Sequence, residues 1–540
     1  MNLRLVVKNL GQLLLMLSVL MAVALIAEAF GFGTPLVVLG PDADGGVPAL
    51  NAGAASAVPA FSIALLFNVI LGGAMVFIGS RGTSEQFGRR DSMLLVGVAW
   101  IVGAATSALP YYLWAVLREP VVGAPPHPFE SYAMAFFESV SGLTTTGATI
   151  LGAVPNDIES LPGGLLLWRS AQQWFGGLGI VVLFVAVLPN IAAAGGKKLV
   201  NIESTGTGPA VRPRIREAVR VLWFIYLTFS VSCFGLLWLA GMSVFDAVCH
   251  AGTAVASGGY SPRNASIGAY HDLGPGSAAA IEWILILFMT MAGINFGLFY
   301  AAVNNRWRTV WRDSELRVYL GMMAVITLVI GLFLMDAEPI LTSGEQIQAG
   351  LLDRIRLAAF STVSLQTSTG YASHDFDLLP FSGKAMLCIA MFAGGCAGST
   401  GGGLKVVRVL TLLKVAWAEL ERAFRPSVVR PIRVNRMVID AEQQRGVVVF
   451  AVLVVLILVA CSILLRIFEQ GAGLDITTTA TAAIATLMNT GPGFHAVGPT
   501  QNFAFFSSPS LYLLSLMMVL GRLELFALLV FLVPRFWRGN

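Results

Sequence analysis

Four short stretches of this chain carry residues suited to holding a bare cation. They read ESVSGLTTTGAT (138–149), HAGTAVASGGYS (250–261), STVSLQTSTGYA (361–372) and AAIATLMNTGPG (482–493), and they align on Gly147, Gly259, Gly370 and Gly491. Those glycines are spaced 112, 111 and 121 residues apart. Thr146, Gly258, Thr369 and Thr490 precede them directly, and Thr145, Ser257, Ser368 and Asn489 stand one position earlier. Stripping water from an alkali cation is costly, and successive backbone carbonyls can replace the lost oxygens. Lining a narrow axis that way needs backbone angles that glycine adopts at low cost. No Asp or Glu occupies these positions, so selection by carbonyls is expected, with potassium the natural ion. One Thr-Gly or Ser-Gly alone is an ordinary turn; four such glycine turns in register are not.

A second stretch, Gly394-Gly395-Cys396-Ala397-Gly398-Ser399-Thr400-Gly401-Gly402-Gly403-Leu404-Lys405, interrupts an apolar run with six glycines. So many glycines cannot hold a regular helix. Non-helical backbone at membrane depth is tolerated only against protein or water, so a gating loop below the filter is expected. A phosphate-binding loop does not fit. Counted from Gly398, Lys405 falls one place late and Val406 replaces the required Ser or Thr. Arg522, in Gly521-Arg522-Leu523-Glu524 of the last apolar run, is too costly at such depth unless it faces water or a partner. On the axis it would oppose a passing cation and help form the gate; the bland reading is a brace to a carbonyl or acid on another helix. Glu524, two residues on, lies on a different helical face. Arg169 and Glu138 are expected to pair behind the first glycine loop as scaffold. His250 and His374 flank these segments without metal-ligand spacing, and no catalytic constellation appears, so an enzyme is not expected. Cys233, Cys249, Cys388, Cys396 and Cys461 form no CxxC pair and read as packing residues.

The elements that must position these residues are apolar. The chain of 540 residues is 56% hydrophobic and 12% charged, with a mean hydropathy of +0.77. Ten runs near 20 residues long predict membrane helices: 10–30, 59–79, 93–117, 164–189, 218–241, 278–303, 316–336, 382–411, 446–469 and 508–534. Ala27-Glu28-Ala29 looks like a signal-peptidase site, but the apolar run continues to Phe32, so a retained helix is preferred. The expected fold is an all-α polytopic membrane protein. It has an N-terminal helix pair (1–92) and four pseudo-symmetric helix–pore-loop–helix repeats around a central pore: 93–200, 201–312, 313–440 (with the gating loop) and 441–540. Asp246, Asp353 and Asp475 are expected to cap the second to fourth pore helices, while Pro125, Pro126, Pro128 and Glu130 introduce the first. With both termini cytoplasmic, 26 of the 34 Lys and Arg residues lie inside, as the positive-inside tendency demands. Their spread over every inner loop argues against nucleic-acid binding.

At these residues the chain resembles the TrkH family of bacterial potassium-uptake proteins, within the Trk/Ktr/HKT superfamily. The likeness runs through FFESVSGLTTTGAT, WRSAQQWFGGLGIVVLFVAVLP, FDAVCHAGTAVASGGYS, INFGLFY, WRDSELRVYL, FAGGCAGSTGGGLKVVR, MNTGPGF and GRLELFALLVFLVPRFW, nearly the whole chain. It implies that Gly147, Gly259, Gly370 and Gly491 are filter glycines holding potassium through backbone carbonyls. It implies that Gly394 to Gly403 form the gate opposed by Arg522. It also implies a homodimer in the bacterial inner membrane, bound to a cytoplasmic TrkA-like ring that binds NAD or adenine nucleotides. No organic cofactor is expected on this chain. The basic stretch Arg422 to Arg436 would suit an acidic docking surface or anionic lipid. Gly147, where sodium-passing members tend to have serine, points to potassium. Two departures are Ala256-Ser257 in place of the usual Ser-Thr, and Tyr260 and Tyr371 where Phe is common. The alternatives are a sodium-permeable pore of the same fold and a secondary carrier with a midplane site. Four parallel repeats disfavour the carrier.

Overall fold

The computed structural model describes residues 2–33, 55–81, 88–119, 125–152, 157–186, 215–336, 338–427, 431–435 and 437–538. Lys197, Lys198, Arg212, Arg214, Arg430 and Arg436, which entered the charge count above, lie outside them, as does the boundary near residue 200.

Two long apolar helices, Leu3–Ala29 and Val58–Gly79, pack along their lengths at glycines. A Cβ on Gly11 would stand 2.6 Å from the Gly72 carbonyl oxygen, and one on Gly79 would stand 2.6 Å from that of Arg4. Lipid offers no hydrophobic drive for helix pairing, so close approach at small residues supplies the contact. Glu28, in the stretch that resembles a signal-peptidase site, lies at the end of the first helix. Its buried carboxylate accepts hydrogen bonds from the amides of Ala57 (3.0 Å) and Gly164 (2.7 Å), joining three helices.

Among the described residues that follow, one order of elements recurs four times: an outer helix, a short helix (named a pore helix after the expected repeat), a glycine loop and an inner helix. The outer helices are Arg89–Ser107 with Leu109–Leu117, Ile215–Leu239, Ser314–Met335 and Ala441–Phe468. The pore helices are Tyr132–Leu143, Val244–Val255, Leu351–Gln366 and Ile476–Leu487. Only the first inner helix, Gly163–Ala186, is one piece as far as it is described. The second divides into Pro275–Ala292 and Phe296–Val303, the third into Phe381–Ala393 and Val406–Phe424. The fourth, Ser508–Arg522, turns through 112° into Phe526–Leu532. Three of the ten predicted runs are therefore broken, and among the described residues seven helices can span a bilayer, or eight with the bent pair. Each break has a local cause. Asn295 caps a new helix by accepting from the Gly297 amide at 2.7 Å. The six-glycine stretch cannot stay helical, and Glu524 and Leu525 both take positive φ. A small antiparallel ribbon, Arg433–Val434 with Met437–Val438, precedes the fourth outer helix; the apolar pattern did not announce it.

The capping expectation holds for one pore helix and shifts at two. Asp475 caps the fourth, accepting from Thr478 N at 3.2 Å. In the second, Ser243 is the cap (Asp246 N donates to its Oγ at 3.0 Å), and Asp246 is free to pair with Arg263 at 2.9 Å. In the third, Asp353 reaches back to the Gly350 amide and pairs with Arg356 at 2.7 Å. Replacing Glu28 by Ala strands two buried amides, a cost of about 1–3 kcal/mol. The thermal midpoint in detergent is expected to fall by several degrees; an unchanged midpoint would show that those amides find other partners.

Candidate functional site

The four pore helices end identically. The residue two before each glycine is left-handed: Thr145 (φ 53°), Ser257 (55°), Ser368 (59°) and Asn489 (53°). The next amide reaches back to the helix, Thr146 to Ser141 O (2.9 Å), Gly258 to Thr253 O (2.8 Å), Thr369 to Ser364 O (2.8 Å) and Thr490 to Ala485 O (2.9 Å). The left-handed residue itself donates to Gly142, Ala254, Leu365 and Thr486 oxygens at 3.0 to 3.3 Å. This paired bonding is a Schellman closure. A non-glycine residue held left-handed costs about 1–3 kcal/mol, so four such positions need four compensating bonding sets. Each glycine then returns the chain with φ between 75° and 92°.

The loops close on one another in sequence. A Cβ on Gly147 would strike the carbonyl oxygen of Gly258; on Gly259, that of Thr369; on Gly370, that of Thr490. On Gly491 it would stand 2.7 Å from the Thr146 oxygen, and the circle is complete. Four loops that touch head to tail in the order 1–2–3–4–1 surround one axis. All four glycines also line one cavity of about 80 Å³, with Thr149, Ser261, Arg263 and Gln501 on its walls. Arg263 there is matched by Asp246 at 2.9 Å and Glu159 at 3.3 Å.

Behind the ring the buttress is ionic and aromatic. Arg169 bonds Glu138 at 2.9 Å, and both are buried. Glu138 also accepts from Thr149 Oγ1 (3.0 Å) and the Ile150 amide (3.1 Å), which pins the first loop. Arg169 donates to Ser261 O at 3.2 Å and lies 4.1 Å over the Tyr260 ring. The two tyrosines have a clear task. Tyr260 OH donates to Glu138 O (2.9 Å), and Tyr371 OH to His250 O (3.3 Å) while also meeting Thr253 Oγ1. Each fastens its loop to the preceding pore helix, which phenylalanine could not do. His250 lies between Asp246 O and Ser261 Oγ (2.8 and 3.2 Å) and His374 near Ser361 Oγ (3.4 Å). The five cysteines are free thiols. Among the described residues no group of three His, Cys, Asp or Glu side chains is placed to hold a metal.

The stretch Gly394 to Lys405 crosses the opposite side of the ring from the cavity. Thr400 Oγ1 meets Ser257 Oγ (2.9 Å) and donates to Val255 O (3.1 Å). The Gly402 amide donates to Ser368 Oγ, and the Gly403 amide to Met488 O at 3.0 Å. The segment thus bonds the ends of three pore helices. Arg522, fully inside, donates to Thr400 O (2.8 Å) and Gly176 O (3.4 Å), holding the segment to the first inner helix. It braces a carbonyl and faces the segment at once. Glu524, beyond the helix end at the turn, pairs with Arg408 at 2.5 Å rather than with Arg522. Lys405 Nζ donates to Gly401 O, and Gly394, Gly398 and Gly403 take positive φ.

Comparison with known proteins gives the family. The family model "TrkH: Cation transport protein" matches residues 58–538. The chain belongs to the TrkH family. It is 35% identical over 469 residues to the Trk system potassium uptake protein TrkH of Escherichia coli K12, covering 86% of this chain and 90% of that one. It is 33% identical to the TrkH of Halomonas elongata over the full length of both. It also superposes on the crystal structure of the potassium transporter TrkH from Vibrio parahaemolyticus, with a TM-score of 0.80, 32% identity and complete coverage of both chains. TrkH is a transporter family, so the chain is not an enzyme, and its polytopic relatives place it in a membrane.

Three working parts of this TrkH-family chain were not read from sequence. Glu315 holds both ends of the glycine segment, accepting from Ala397 N (2.7 Å) and Val407 N (3.2 Å). Gln173 spans the second loop, and Arg408 anchors Glu524. All three act over 80 residues or more of chain, Gln173 and Arg408 across repeats and Glu315 within the third, where local pattern carries no signal. For the Glu138–Arg169 pair, removing one partner strands a buried charge at about 3–5 kcal/mol. Arg169→Met alone is therefore expected to lower the thermal midpoint more than Glu138→Gln with Arg169→Met together. A double variant no better than the single would show that the two charges are uncoupled.

Proposed function

We propose that this chain carries potassium ions into the cell across the bacterial inner membrane, through the ring of loops ending in Gly147, Gly259, Gly370 and Gly491. The observation that carries the proposal is the closed head-to-tail contact of those loops around one axis. Its chemistry fits. Residues Thr145-Thr146, Ser257-Gly258, Ser368-Thr369 and Asn489-Thr490 supply main-chain oxygens, and four helices aim their partly negative C-terminal ends toward the axis. Thr145 Oγ1, Asn489 Oδ1, Thr490 Oγ1 and Arg522 Nε are buried without a hydrogen-bond partner among the described residues, which suits a passage that water and ions enter. The relatives' names support potassium as the ion.

In this reading the repeats are the four units bounded at residues 93, 201, 313 and 441. Both termini are cytoplasmic, the cavity faces outward, and the segment containing Gly394, Gly395, Gly398, Ser399, Thr400, Gly401, Gly402, Gly403 and Lys405 closes the inner side. Arg522 holds it shut through Thr400 O. The relatives belong to a named system, which supports a cytoplasmic partner: a TrkA-like nucleotide-binding ring seated on a homodimer of this chain. Opening then means parting the segment from Ser257, Ser368 and Met488.

In proteoliposomes, tracer rubidium uptake with the partner present should exceed that of empty vesicles; equality would sink the proposal. Gly370→Ser places a side chain against Thr490 O in a strained backbone, and a lower preference for potassium over sodium is expected under mixed gradients. A wild-type protein with no such preference would favour a sodium-permeable pore of this fold. Arg522→Gln, which weakens the hold on Thr400 O and Gly176 O, should raise basal flux several-fold. Unchanged basal flux would argue that Arg522 is scaffold.

A further inference from the structure

The four loops are alike in backbone but not in what locks them. In the first and third, a hydroxyl pair spans the turn: Thr144 Oγ1 with Thr146 Oγ1 (2.7 Å) and Thr367 Oγ1 with Thr369 Oγ1 (2.8 Å). In the fourth, the Asn489 amide ties the turn to Thr146 Oγ1 and Met518 O, both at 2.9 Å. The second loop has neither device, because Ala256 and Gly258 stand at the pair positions. It is the loop with two successive glycines, hence the one with the most backbone freedom to lose.

Its lock comes from another repeat. Gln173, on the first inner helix and fully buried, donates from Nε2 to Gly258 O at 2.7 Å and accepts from Tyr260 N at 3.0 Å through Oε1. The two bonds bracket Gly259 from either side. The same side chain fills the place where a residue larger than glycine would put its Cβ at position 258: that atom would collide with Gln173 Cδ and Oε1 and stand 3.0 Å from its Cβ. Gly258 and Gln173 are complementary in shape as well as in hydrogen bonding. A carbonyl oxygen has a second lone pair, so Gly258 O can accept from Gln173 and still serve its place in the ring.

We infer that Gln173 is the positioning residue for the second filter loop: its amide replaces the missing hydroxyl pair and sets the Gly258 carbonyl, and so it shapes ion selectivity from outside the loop. This rests on the filter reading proposed above. Removing this buried bidentate clamp should loosen the second quarter of the ring, the one it holds directly.

The test measures potassium over sodium selectivity by tracer rubidium uptake against sodium competition, in proteoliposomes of the full chain with its partner. Gln173→Leu keeps the bulk and deletes both bonds; a selectivity ratio about fivefold lower is expected, the scale of one lost hydrogen bond. Gly258→Ala alone should impair uptake by collision with Gln173, and Gly258→Ala with Gln173→Ala should recover much of it. A purely structural glutamine would move total uptake but not the ratio. If Gln173→Leu conducts with the wild-type ratio, or if the paired variant is no better than Gly258→Ala, the inference is overturned. Should Gln173→Leu fail to fold, the paired variant decides by its ratio: wild-type selectivity without the Gln173 amide overturns the inference. An unselective wild type would instead overturn the filter reading itself and the inference with it.

Discussion

Ending a helix so that its last carbonyls and the chain beyond it face a common axis is a demanding geometric requirement, and here it is met four times by the same bonds. The left-handed residues Thr145, Ser257, Ser368 and Asn489 turn the backbone, and the two returning amides of each turn hold it there. Thr145 is β-branched, a poor occupant of that conformation, and it is kept by its surroundings.

Support runs around the ring as well as within each repeat. Tyr260 of the second loop bonds the first pore helix, Tyr371 of the third bonds the second, and the fourth loop's Asn489 bonds Thr146 of the first. The Glu138–Arg169 pair joins loops one and two through Thr149 and Ser261. A loop therefore cannot shift alone without opening its neighbour's contacts, and this interlocking lets short irregular backbone persist at membrane depth. The glycine segment is bonded into the same network from the other side through Thr400, Gly402 and Gly403. Glu315 gathers its two ends and Arg522 its middle.

The glycines that pattern the inner helices do different work from those in the loops. A Cβ on Gly176 would fall onto the Leu143 carbonyl, and one on Gly521 onto that of Leu487. These absences of side chain let the first and fourth inner helices lie directly against pore-helix ends. Gly401 does the same for the third repeat, where an added Cβ would be 2.8 Å from Thr367 O. Close approach, not flexibility, is the common need.

Apolar run length and the recurrence of Thr-Gly turns made the class, the helix positions and the ring glycines legible, because helix-forming and turn-forming preferences are local. The same runs overstated continuity: 278–303, 382–411 and 508–534 read as single helices, though Asn295, the six glycines and the turn at Glu524–Leu525 divide them. Asp246 looked like a helix cap by position, but Arg263, brought in by folding, claims it; Asp353 accepts from the Gly350 amide and also pairs with Arg356 of its own helix. The chain alone determined where backbone could turn and which residues had to avoid lipid. Only the tertiary structure decided which loop touches which, that Gln173 serves a loop 85 positions away, and that Glu524 belongs to Arg408. Those choices depend on distances across repeats, and a one-dimensional pattern carries no distance between residues that meet only when the ring closes.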